Sequence, residues 1–192
     1  MTPSAEELLA IARRYWREDN LYDFRLDHSP ETDRFQALWS EKLKEIDRWR
    51  SLLNELRRAL PGYSIGNGTA PVNGGYGALV YPPGEEILDR PQIKWILVAY
   101  LSILAPVYTV YSVRRKFIGK QFMGAKAFMS PIPFDLRDAA RKVSQRIEAN
   151  YGATALPLEI AQTPVPLYVH FMKPPETTLF HALFTSEPWN IP

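Results

Sequence analysis

The segment Gly62-Tyr63-Ser64-Ile65-Gly66 has the G-x-S-x-G form in which a serine hydroxyl becomes a nucleophile on a strained strand-to-helix turn. Such a serine needs a later carboxylate and histidine, and Asp135 or Asp138 followed by His170 or His181 stand in that order. The surrounding pattern opposes the chemistry. A helical stripe and Pro61 come before the serine, a glycine-asparagine loop follows, and no earlier run of parallel strands could build the sheet beneath it. A plain turn is the simpler expectation, with a small serine hydrolase built on Ser64 as an alternative.

Two other constellations invite chemistry. The Gly66–Gly77 loop could cradle a phosphate, but it lacks a Gly-Lys-Ser/Thr ending, and Pro71 stands where G-x-G-x-x-G needs its third glycine. Asn67-Gly68 and Asn73-Gly74 within it instead predict tight hairpin turns with positive φ. Asn67-Gly68-Thr69 also has the glycosylation form, which matters only in a secreted chain. Among the three histidines, His28 lies near Asp27 and Asp23, yet no second histidine at helical spacing completes a metal set. His170 and His181 sit in apolar runs, where a hydrogen-bonded core histidine is commoner than an acid–base pair. No catalytic residue, metal or cofactor is expected.

Charge is unevenly spread although the net formal charge is only +2. Glu18, Asp19, Asp23, Asp27, Glu31 and Asp33 crowd one segment. No acid lies between Asp89 and Asp135, where Arg90, Lys94, Arg114, Arg115, Lys116, Lys120 and Lys126 all fall. Arg114, Arg115 and Lys116, interleaved with Tyr108, Tyr111 and Phe117, could hold phosphates and stack bases. On a strand, however, Arg115 points opposite to Arg114 and Lys116, which divides the cluster. The acidic segment next to Trp16, Tyr22 and Phe24 has the make-up of a protein-docking surface, aromatic anchors inside a charged rim.

These residues need elements to hold them. Ser4-Ala5-Glu6-Glu7 is a capping box that opens a first helix. Tyr22 to Asp27 alternate as a short strand. Ser29-Pro30 starts a second helix, whose stripe from Phe35 to Leu60 keeps three-four spacing for about eight turns. Ala78 to Tyr81 predicts a strand, and a further helix follows over 135–151, closed by Gly152. Leu167 to Phe171 also predicts a strand, and Thr177 to Phe184 a short helix.

The nineteen residues from Trp95 to Val113 carry no charge and are long enough to cross a bilayer as a helix. Strands explain them better. The odd positions Ile93 to Ile103 are all apolar, and Val107 to Val113 is dense in β-branched and aromatic residues. Pro106 would break a helix between the two halves. A third strand is expected between Phe117 and Met129.

With 46% apolar and 23% charged residues over 192 positions, the chain suits one domain with a sizeable core. The expected fold is α+β, a mainly antiparallel sheet with N-terminal helices and one later helix packed on one face. Residues 1–60 form the helical part with its short strand, and 61–192 the sheet with helix 135–151. The absence of cysteine excludes disulfides and thiolate chemistry. An acidic amino terminus without an apolar run predicts no signal peptide and a cytoplasmic protein. The leading functional expectation is a non-enzymatic protein binder of the bacterial immunity or antitoxin type. Its surface would comprise Trp16, Asp19, Tyr22, Asp23 and Asp27, facing a basic protein partner. Nucleic-acid binding through Arg114, Arg115 and Lys116 is the alternative, and membrane association is not expected.

Overall fold

The computed structural model describes residues 2–19, 28–84 and 90–192. Three helices come first: α1 (Ala5–Ala12), α2 (Pro30–Lys44) and α3 (Ile46–Ala59). Strands β1 (Ser64–Asn67), β2 (Gly75–Tyr81), β3 (Pro91–Ser102), β4 (Val107–Ile118) and β5 (Gln121–Phe128) then run as a meander. A 3-10 turn at Phe134–Leu136 leads into α4 (Arg137–Tyr151). The short β6 (Thr154–Ala155), α5 (Leu158–Ala161) and α6 (Leu179–Leu183) complete the order. The fold is thus α+β. Neighbours β1 to β5 pair antiparallel in sequence order, and β6 adds one parallel pairing to β4.

The uncharged stretch forms the two central strands. β3 and β4 pair from Pro91↔Ile118 to Leu101↔Tyr108, with the turn around Pro106 between them. No helix of the described residues is long and apolar enough to cross a membrane.

Directly paired residues project from the same face of a sheet. Tyr76, Leu101 and Tyr108 therefore share one face, as do Ala78, Ala99 and Val110 beside them. Tyr76 stacks on Trp49 of α3 at 5.3 Å, and the Tyr108 hydroxyl donates to Glu148 of α4. This face carries α3 and α4. The opposite face presents Tyr100 and Tyr111, and it is covered by α6 and the chain after it. Tyr111 meets the Phe180 ring edge-on at 5.6 Å and donates to the Pro188 carbonyl at 3.0 Å. At one end of the sheet, Trp16 packs on Phe35 of α2 and donates through Nε1 to the Ala182 carbonyl at 2.8 Å. The N-terminal segment is thereby tied to α6.

Several expectations hold. Ser4 and Glu7 form the reciprocal capping box. Ser29 caps α2 through the Thr32 N–H, with Pro30 at the first helical position. Gly152 ends α4 at φ 63°, a left-handed conformation that favours glycine. Thr177 to Phe184 does contain a helix, α6.

Three expectations need correction. The long second helix is two helices, interrupted at Glu45 (φ −98°, ψ 10°). Neither proline nor glycine causes the break. The Tyr76 hydroxyl donates to the Lys42 carbonyl at 2.7 Å, the acceptor that Ile46 N–H would use in an unbroken helix. Second, Gly68 and Gly74 do not adopt positive φ, and the β1–β2 connection is a wide loop rather than a two-residue turn. Third, Leu167 to Phe171 forms only isolated bridges, Arg17 with Tyr168 and Val169 with Met172, because its neighbours close on themselves in a tight turn. The strand expected at Tyr22 to Asp27 lies outside the described residues.

Gly74, Gly75 and Gly77 of the 66–77 loop are explained by close packing. A Cβ on Gly74 would lie 2.7 Å from the Leu183 carbonyl oxygen, and one on Gly75 would lie 2.5 Å from that of Leu101. Gly74 N–H donates to Phe184 O at 2.8 Å, while Gly74 O accepts from Ile103 N–H at 2.9 Å. The loop is small because backbone meets backbone there, which leaves no room for a phosphate against those atoms.

Candidate functional site

Burial falls steeply along the two central strands. β3 is buried from Ile96 to Ser102 but exposed or half-buried from Pro91 to Trp95, and β4 mirrors this beyond Val113. The sheet therefore projects past its helices at the end formed by 91–95, 114–118 and β5. A two-residue turn, Gly119-Lys120, closes β4 to β5, with Gly119 at φ 57° as hairpin geometry requires. Between the pairs Lys116↔Gly124 and Phe117↔Phe122, Met123 is an extra residue, and this bulge bends β5.

Register decides what this projection displays. Trp95, Arg114 and Lys126 form one cross-strand row, and Ile93, Lys116 and Gly124 form the next on the same face. Phe128 lies beside them. Its ring is 5.3 Å from Trp95, with the Arg114 guanidinium at 5.2 Å and the Lys126 ammonium at 5.4 Å. The other face carries Lys94 opposite Arg115, with Phe117 and Phe122. There the Arg115 guanidinium stands 5.3 Å from Phe117 and 5.1 Å from Phe122, and it donates to the Pro192 carbonyl at 2.8 Å. The division of the cluster between two faces thus holds.

The first face is chemically distinctive. Arg114, Lys116 and Lys126 are exposed, and no acid occurs anywhere from Pro91 to Phe128. Among the described residues none of these three cations forms an ion pair. Ile93, Ile118, Phe122 and Met123 are large apolar side chains left exposed at the same end. Cations and apolar groups interleaved on a rigid sheet can bind an anionic, partly apolar surface.

Only part of the acidic segment falls among the described residues. Trp16 is 2% exposed and belongs to the core, so its ring is not a surface anchor. Asp19 is exposed but bonded twice by Arg17, at 2.9 and 3.1 Å, and that guanidinium holds its carboxyl below the usual range. Glu18 and Glu31 are likewise paired within the chain, to Arg13 at 2.7 Å and Arg34 at 3.0 Å. Tyr22, Asp23 and Asp27 lie outside the described residues.

The remaining sequence candidates separate. Ser64 begins an antiparallel strand at the edge of the sheet, exposed, without the strand-turn-helix context of an elbow. His28 is exposed, and no cluster of three metal-ligating side chains occurs among the described residues. His181 accepts from Thr178 N–H at 3.1 Å as part of the α6 cap, and burial pulls its pKa down to about 4. His170 is buried and stacks on Phe171 at 4.8 Å. Sequence reasoning missed the exposed apolar residues of the projecting end. Strict alternation placed Ile93 on the buried face, and only the length of β3 relative to β2 puts it in water.

Comparison with known proteins found no matching family model, no matching curated protein and no matching solved structure.

Proposed function

We propose that this protein is a non-enzymatic binder of another protein, of the immunity or antitoxin class, acting in the cytoplasm by occluding its partner's working surface. The observation that carries this reading is the face made by Ile93, Trp95, Arg114, Lys116 and Lys126. It supports a partner with an acidic surface, which relocates the contact from the acidic segment to its opposite in charge. Opposed potentials steer association and fix register, while apolar side chains supply the desolvated contact.

A nucleic acid would meet the same cations, but on this face Trp95 is half-buried, and the exposed Phe122 lies on the opposite one. Tyr108 and Tyr111 are buried, and the Phe128 ring is already occupied by Arg114 and Lys126. Bases need open π-faces, so an acidic protein fits this face better.

Affinity capture from the native host tests the proposal, using the wild type beside a triple variant, Arg114→Glu, Lys116→Glu and Lys126→Glu. One acidic protein retained at equal stoichiometry by the wild type and lost by the variant, with unfolding unchanged, is the expected result. Retention of labelled oligonucleotides with a steep salt dependence, and of no protein, would overturn it.

A further inference from the structure

A concavity of about 320 Å³ lies between the β1–β2 loop, Tyr100 and the chain after α6. Its size is that of a small-molecule site. Among the side chains of its described lining residues Glu187 is the only one with a formal charge at neutral pH, and no lysine or arginine is among them. An anionic ligand would find no counter-charge there.

The polar groups are positioned to bond something. The Tyr100 oxygen accepts from Asn73 Nδ2 at 3.3 Å and is hydrogen-bonded to Thr185. Thr185 Oγ1 in turn accepts from the Glu187 N–H at 3.3 Å. The Tyr100 O–H can donate either to Thr185 or into the concavity, because a threonine oxygen accepts up to two hydrogen bonds. Burial pushes the Tyr100 pKa up to about 12, so the phenol keeps that proton at neutral pH. Ser186, 3% exposed, also lines the concavity, and its hydroxyl makes no hydrogen bond among the described residues. That oxygen is not fully enclosed, so a ligand or water entering the concavity can bond it.

The rim is aromatic. Val169 and Met172 exchange backbone hydrogen bonds at 2.9 and 2.7 Å around the two-residue turn His170-Phe171. His170 has φ 52°, a left-handed conformation that a non-glycine residue adopts at some cost. That turn buries His170 on the wall and leaves Phe171 69% exposed at the mouth, their rings stacked.

We propose that this concavity binds a small uncharged hydroxylated ring of monosaccharide size, with Tyr100 and Ser186 bonding its hydroxyls and Phe171 covering its apolar face. The site is separate from the protein-binding face, so either can fail alone. A free sugar and the terminal unit of a glycan share this chemistry.

Titration of the isotope-labelled protein with glucose, galactose, N-acetylglucosamine, glucuronate, inorganic phosphate and a glucosamine-type amine, followed by amide NMR, tests the site. A short oligosaccharide of whichever neutral sugar binds then separates the two sources, because tighter binding of the oligomer identifies a glycan end. The expected result is saturable shifts at Thr69, Asn73 and Ser186 with a neutral sugar and weaker binding of glucuronate and phosphate. Ser186→Ala and Phe171→Ala should each weaken binding by roughly five- to tenfold. Phe171 is exposed, so its variant keeps the fold. Binding of the anions or the amine in preference to every neutral sugar, no shifts with any neutral sugar, or neutral-sugar binding unaffected by both substitutions would overturn the proposal.

Discussion

The Tyr76 hydroxyl and the Lys42 carbonyl, 2.7 Å apart, join the sheet to the point where α2 gives way to α3. Tyr76 also stacks on Trp49 and meets Trp39 edge-on at 5.7 Å, so one side chain sets both helices against the sheet. Tyr76→Phe should retain the stacking and lose about 1 kcal/mol of stability in urea denaturation. The amide of Ile46 should also gain protection from hydrogen exchange as the Lys42 carbonyl becomes available to it. An unchanged midpoint and unchanged exchange would mean that the break has another cause.

The glycine loop makes a second test. Gly74→Ala forces a methyl against the Leu183 carbonyl oxygen and should destabilise by about 1–3 kcal/mol. Gly84→Ala is the control, since a Cβ there meets nothing within 4 Å. Thermal unfolding of the two variants should separate them clearly. Equal stability would show that the loop shifts freely and that its glycines serve something other than packing.

Much of this architecture is legible in the residues. Ser4 with Glu7, Ser29 with Pro30, and Gly152 each mark a helix end by a local mechanism, and all three are found where the sequence places them. Alternation around Pro106 likewise distinguishes two strands from a spanning helix. Long-range effects were not legible. The break at Glu45 depends on a hydroxyl 31 positions away from it, on Tyr76. The small residues at Gly74 and Gly75 answer to backbone from α6 and β3, which no local turn rule describes. For the site, the cations were visible as an acid-free stretch, and their division between faces followed from strand periodicity. That Trp16 would be core and Ile93 exposed depended on which elements extend far enough to cover them.

His181 gives the fold a pH dependence with a definite sign. Its folded pKa of about 4 lies below the ordinary value of 6.5, because burial disfavours the imidazolium. The neutral ring is therefore the stabilising form, its contribution complete above 6.5 and lost as pH falls from 6.5 through 4. The full effect is on the order of 3 kcal/mol. Urea denaturation across this window should show falling stability in the wild type and a flatter profile in His181→Gln. Matching slopes would place the acid sensitivity elsewhere.

The cationic face of β3, β4 and β5 is tested most directly by the rate of association between the purified protein and the acidic partner captured from its host. In stopped flow, the wild-type rate should fall steeply with added salt. The triple charge reversal at Arg114, Lys116 and Lys126 should associate at least about tenfold more slowly and lose that salt dependence. Association of the folded triple variant at the wild-type rate, with the same response to salt, would contradict the assignment of this face.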